Sequence, residues 1–195
     1  MKTLVRLAIT ALCMSSFSYT AQAQESFINE ARFGGHWAQP GFLEVGHKEK
    51  NQTALSAELL FQPINIDFLD LFEGSQDSWA YSFVTPRPHL GVTANLAGNG
   101  TSYAYGGLTW HFDVTNTVFL EGGLGMAYTN GSKSGSPTRA ALGAHWQFHE
   151  SLAVGFNITE NVTLVTQYEH LSHRKVFSDN NRGLGNLSVK VGLKF

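Results

Sequence analysis

The chain has 195 residues, a length that sets an expectation of one domain. Only 14% of the residues are charged, 43% are hydrophobic and 12% aromatic, which excludes a long disordered tail, since such tails are rich in charge and poor in aromatics. Beyond the first 20 or so residues there is no run of about 20 apolar residues, so a helical membrane bundle is excluded as well.

The first segment explains the one apolar run. Met1–Arg6 is a short basic head, Leu7 to Phe17 is an apolar stretch, and Ala21-Gln22-Ala23 is an A-x-A cleavage site. Together they predict a signal peptide over 1–23, too short to span a membrane. The remaining 24–195 has 11 Lys and Arg against 15 Asp and Glu, a net charge of −4. An exported, mildly acidic chain lacks the basic footprint of a nucleic-acid binder. The single cysteine, Cys13, leaves with the leader. The exported chain therefore has no disulfide, thiol nucleophile or cysteine metal site.

From there on, period 2 dominates over period 3.6. Strands are predicted near 28–38, 52–61, 84–96, 102–112, 117–129, 138–158, 162–172 and 185–195. In the second, Leu55, Ala57, Leu59 and Phe61 alternate with Ser56 and Glu58. Gln62 to Ser82 breaks the pattern. It holds Ile64, Ile66, Phe68, Leu69, Leu71 and Phe72 and reads as a connection with its own apolar turn or short helix. Leu90, Val92, Ala94 and Leu96 share one face of the third strand. Val118, Leu120, Leu124, Met126 and Tyr128 share one face of the fifth. The segment 138–158 is overlong, with a turn-like His149-Glu150-Ser151. It reads as one kinked strand, because two would make nine and single-chain bacterial barrels use even numbers. The last strand alternates best: Leu187, Val189, Val191, Leu193 and Phe195 oppose Asn186, Ser188, Lys190, Gly192 and Lys194.

Such alternation suits two architectures. A soluble sandwich or lipocalin-like carrier turns its apolar face inward, whereas an outer-membrane barrel turns it to lipid and fills its lumen with polar groups. Three features favour the second. The polar face carries Arg32, Glu58, Arg87, Glu121 and Arg139, which can pair in a narrow barrel. Its small residues suit a lumen of about eight strands, which holds only side chains. The chain also ends on an apolar-alternating strand with terminal Phe195. The expected fold is an all-β, eight-stranded antiparallel up-and-down outer-membrane barrel over 24–195. Both termini are then periplasmic, and the loops near 39–51, 97–101, 130–137 and 173–184 extracellular.

The best chemical signal is Tyr168-Glu169-His170-Leu171-Ser172-His173. His170 and Ser172 lie two apart on one strand, so they share a face with Val162, Leu164 and Tyr168. That is the lipid face, at the extracellular end. Simple polarity at the barrel rim accounts for them; so does a Ser nucleophile with a neighbouring His base. His36, His47, His89, His111, His145 and His149 lack helical metal-ligand spacing. His89, His111 and His145 have lumen parity, which explains them better than a metal site does. No Gly-rich segment resembles a phosphate loop, which needs a following helix.

The chain resembles the outer-membrane lipid A 3-O-deacylases. The likeness is carried by Ala57-Glu58-Leu59-Leu60-Phe61, Arg87-Pro88-His89-Leu90-Gly91, Tyr105 to Asp113, Phe119-Leu120-Glu121-Gly122-Gly123 and Glu169-His170-Leu171-Ser172 followed by Asn181-Arg182-Gly183-Leu184. It spans about residues 28–195. The resemblance implies a Ser–His–acid triad facing the outer leaflet that hydrolyses the 3-linked ester of lipid A. The family motif is His-x-Ser-Asn, then a loop, then Asn-x-Gly-x-Glu or Asp. On it, His170 is the general base, Ser172 the nucleophile and Asn181 an oxyanion donor. Two positions depart: His173 stands where the motif has Asn, and Gly185 where it has the orienting acid. Asp179 in the same loop is the candidate substitute acid, since Glu169 and Asn186 have inward parity. The implied partners are lipid A within lipopolysaccharide and the outer-membrane bilayer, with no nucleic acid and no cofactor or metal; a homodimer is left open. The rival expectation is a family barrel that has lost catalysis and serves as a surface or structural protein.

Overall fold

The computed structural model describes residues 26–38, 53–64, 79–96, 100–136 and 139–195. The expected leader with Cys13, the loop 39–52 and Ile66, Phe68, Leu69, Leu71 and Phe72 lie outside the described residues. The strands are β1 (Ile28–Ala38), β2 (Ala54–Phe61), β3 (Arg87–Asn95), β4 (Tyr103–Asp113), β5 (Val118–Thr129), β6 (Trp146–Asn157), β7 (Val162–Ser172) and β8 (Leu184–Lys194). One short helix, α1 (Trp79–Val84), precedes β3. Each strand pairs antiparallel with its sequence neighbour, and β1 pairs with β8 from Glu30↔Lys194 to Ala38↔Asn186, which closes an up-and-down barrel. Closure leaves no open strand edge, the condition for crossing a bilayer with strands.

The strand interiors show why the alternation is inverted relative to a soluble barrel. Phe33, Leu55, Leu90, Leu124, Leu152 and Val191 point outward and are exposed, while Arg32, Glu58, Glu121, Glu169 and Lys190 point inward and are buried. This inversion is that of the expected outer-membrane barrel and excludes the rival soluble carrier.

The lumen is packed in two polar layers. In the layer nearer the chain termini, Arg32 donates to Glu121 Oε2 at 2.6 Å and to Glu30 Oε2 at 2.7 Å, and Arg87 also pairs with Glu121. His111 Nδ1 lies 2.9 Å from Glu121 Oε1. In the other layer the Lys190 ammonium donates to Gln167 at 3.0 Å, Glu169 at 3.1 Å and Glu58 at 3.2 Å. Asn186 donates to the Tyr103 hydroxyl at 3.0 Å, and that hydroxyl donates to Glu169. Buried charges require such pairing. Lumen glycines make room for rings: a Cβ on Gly91 would stand 2.2 Å from the Tyr105 ring, and one on Gly155 2.0 Å from the Phe119 ring.

Two expectations change at the far mouth of the barrel. The segment 138–158 holds a single strand, but it starts at Trp146. Residues 139–145 form a loop that tucks Ala140 and Leu142 against Tyr103, Tyr105, Leu171 and Leu184. The loop breaks from strand geometry at Gly143, whose φ is +75°. Arg139 and His145 are therefore not lumen residues of a strand. Arg139 donates to the Asn130 carbonyl at 3.1 Å, and His145 Nδ1 lies 2.8 Å from the Thr129 carbonyl.

Candidate active site on the outer wall

β7 sends His170 and Ser172 outward and Glu169 and Leu171 inward, as a period of 2 requires. Antiparallel pairing then sets their neighbours on the wall. His170 sits opposite Glu150 of β6 on one side and Gly185 of β8 on the other. Ser172 sits opposite Phe148 of β6. The outward row at this level thus reads Glu150, His170, Gly185.

Within that row, His170 Nδ1 lies 3.3 Å from Glu150 Oε2. Arg174, just past the strand, donates to Glu150 Oε1 at 2.6 Å. One carboxylate therefore faces an imidazole with one oxygen and a guanidinium with the other. The turn that delivers Arg174 is tight: Arg174 and Lys175 have φ of 48° and 63°, and the Val176 N–H donates to the His173 carbonyl at 2.8 Å. Left-handed conformations cost non-glycine residues about 1–2 kcal/mol each. The surrounding loop must hold them.

That loop, 173–183, brings the Phe177 ring to 6.4 Å from that of Phe148, which sits opposite Ser172, and the serine is 6% exposed. His173 is fully buried, and its Nε2 lies 3.0 Å from the Asn180 carbonyl. The His173 backbone N–H donates to Asn181 Oδ1 at 3.4 Å. Among the described residues the Asn181 Nδ2 group has no partner. The Arg182 N–H donates to the Ala141 carbonyl at 3.1 Å, tying this loop to the one before β6. Gly143 sits under the junction, where a Cβ would come 1.8 Å from the Asn180 carbonyl oxygen.

Beside His170, an outward groove of about 530 Å³ runs down the wall over β5 and β6. Gly122 forms part of its floor; Phe83, Trp110, Leu124, Leu152 and Tyr168 are among its apolar walls; Glu150, His170 and Arg174 close its end. The Trp110 indole is fixed by donating to the Phe83 carbonyl of α1 at 2.8 Å.

The structure therefore gathers His170, Ser172 and Asn181 at one end of the wall. His170 and Ser172 share the outward face, and among the described residues no hydrogen bond joins them. Asp179 is exposed in the loop and makes no hydrogen bond or ion pair with His170 among the described residues. Glu169 and Asn186 do point inward, into the Lys190 layer. Sequence reasoning missed Glu150. Its signal was parity: it falls in the outward set with Trp146, Phe148 and Leu152, a position where a carboxylate is costly.

An apolar outer wall around a charged lumen defines a membrane-spanning β-barrel. The family model for Lipid A 3-O-deacylase (PagL) matches residues 73–194, and the chain belongs to that family. The crystal structure of the outer membrane enzyme PagL superposes with a TM-score of 0.54 at 13% identity, covering 85% of this chain and 99% of that one. Neisserial surface protein A gives a TM-score of 0.47 at 17% identity, over 86% of this chain and 96% of that one. The Ail protein of Yersinia pestis gives 0.44 at 14% identity, over 86% and 97%. No curated protein matches the chain. Family and fold place the protein in the bacterial outer membrane as an eight-stranded barrel.

Proposed function

We propose that this chain is an active lipid A 3-O-deacylase that reaches the outer membrane as residues 24–195 after loss of 1–23. The observation that carries this reading is the pair His170 and Ser172 on the outward face of β7, with His170 at the end of an apolar groove on the wall. A lipid A molecule enters such a site sideways from the leaflet, with one of its acyl chains along Trp110, Leu124 and Leu152 and its polar sugar at the rim.

In the proposed reaction, Ser172 Oγ attacks the carbonyl carbon of the 3-linked ester while His170 takes the hydroxyl proton. The carbonyl oxygen becomes an oxyanion, stabilised by the Nδ2 group of Asn181. Collapse breaks the ester C–O bond, and His170 returns the proton to the departing sugar hydroxyl. Water, deprotonated by His170, then attacks the acyl carbonyl; the Ser172 Oγ–acyl bond breaks, the fatty acid leaves and His170 returns the proton to Ser172 Oγ. Every atom and proton in this scheme comes from the protein, the lipid and one water.

The decisive experiment is mass spectrometry of lipid A from cells expressing the chain. Loss of one 3-linked acyl chain is expected. Ser172→Ala should abolish it, with a fall of at least about 10³-fold, since nucleophile loss in comparable hydrolases costs about 10⁶ in kcat. Unchanged lipid A mass with the wild-type barrel folded in the membrane favours the second reading. That reading, a non-catalytic barrel of the same family, is motivated by Gly185 at the position of the motif's acid.

A further inference from the structure

We propose that Glu150 is the positioning carboxylate for His170, supplied from β6 in place of an acid on β8. The inference rests on the assignment of His170 as base, and it removes the objection raised by Gly185.

Pairing geometry makes the substitution natural. On an antiparallel wall, His170 has two lateral neighbours, one from each adjoining strand. The β8 neighbour is Gly185 and brings no side chain; the β6 neighbour is Glu150. A carboxylate moved from one neighbour to the other still meets the same imidazole. The Oε2 oxygen of Glu150 lies 3.3 Å from Nδ1.

Placement gives a second, independent reason. Among the described residues, Glu150 is the only Asp, Glu, Lys or Arg on the outward-facing positions of the eight strands. The other strand carboxylates and cations, from Glu30 to Lys190, have lumen parity. An outward charge on a barrel wall is destabilising in proportion to its depth. Arg174 offsets part of that cost by donating to Oε1, and it leaves Oε2 turned to the imidazole. A loop anchor alone would need the Arg174 pair and not the His170 contact.

The contact fixes chemistry. With Nδ1–H donating to Oε2, the neutral imidazole keeps its lone pair on Nε2, the nitrogen free to take the Ser172 proton. When that proton arrives, the imidazolium faces an ionised carboxylate. Glu150 remains ionised throughout and accepts no proton, the role such an acid plays in a Ser–His–acid site.

Three proteins test this in detergent micelles: wild type, Glu150→Gln and the double variant Glu150→Gln/Gly185→Glu. Heat-modifiable gel mobility checks that each is folded. Two readouts are followed, lipid A deacylation and the ¹⁵N tautomer signature of His170. Wild type should show the Nδ1–H tautomer. Glu150→Gln should lower kcat by about 10²–10⁴-fold with little change in KM and should lose that single tautomer. Restoring a carboxylate from β8 in the double variant should recover at least tenfold in kcat and the Nδ1–H signature, which a loop anchor would not do. Wild-type kcat or an unchanged tautomer in folded Glu150→Gln overturns the proposal, as does a double variant no better than the single one. A wild type with the Nδ1–H signature but no turnover overturns the deacylase reading while leaving the Glu150 contact established.

Discussion

Glu121 and Glu150 are the same residue type on neighbouring strands, and the barrel treats them in opposite ways. Glu121 faces the lumen and is shared by Arg32, Arg87 and His111. Glu150 faces outward, among aromatic and aliphatic neighbours, and among the described residues its polar partners are His170 and Arg174. In the lumen, opposite charges converge from several strands, so a carboxylate there is explained by packing alone. On the outer wall nothing about folding asks for a carboxylate. The contrast separates polar groups that build the barrel from those that stand on it for another reason.

Breaking the lumen side of this contrast should have the largest effect on stability. Glu121→Leu leaves Arg32 and Arg87 buried without their shared partner, a change that typically costs about 3–5 kcal/mol. Urea unfolding followed by heat-modifiable mobility should show a clear drop in midpoint, while activity per folded molecule stays near wild type. Equal loss of activity and stability in Glu121→Leu would mean that the lumen layer also shapes the outer site.

Gly143→Ala should act less on stability and more on the site. Its φ of +75° and its closeness to the Asn180 carbonyl both oppose a side chain. The strained backbone costs about 1–2 kcal/mol, and the clash pushes on the loop that carries His173 and Asn181. The expected result is a fall of about tenfold or more in deacylation with the barrel still folded. A wild-type rate in Gly143→Ala would remove the 173–183 loop from the catalytic argument.

Most of the fold was legible because a barrel wall writes its geometry into the sequence at every second residue. The strands expected at 28–38 and 162–172 match β1 and β7, and the others fall within three residues at either end, except before β6. There the alternation continued through Ala140 and Leu142 although no ladder forms. Those two side chains are buried by tucking into the barrel mouth, and alternate burial in a loop imitates a strand. Glu150 was hidden in the same segment: with a kink expected at 149–151, its parity could not be carried across from either side. His170 and Ser172 could be placed because their strand is regular. The partner of His170 could not, since cross-strand register is a property of the assembled wall.

The smallest expected effect sits in the groove itself, and it sharpens the contrast most. Gly122 faces outward on β5, and a Cβ there meets only Leu152 Cδ2 at 3.9 Å. A larger side chain is therefore accommodated on the lipid side without disturbing the lumen, and Gly122→Leu should change stability by no more than about 0.5 kcal/mol. Its isobutyl group would occupy the groove floor between Trp110 and Leu152, where the proposed acyl chain lies. Such a change removes binding that ground state and transition state share, so KM for lipid A should rise several-fold with kcat little altered. A short-chain ester that reaches Ser172 without filling the groove should be hydrolysed at the wild-type rate. If both substrates are affected alike, the groove is not where the chain lies. A shift in KM for the long-chain substrate alone would assign the outer wall of β5 and β6 to substrate and leave the lumen to the fold.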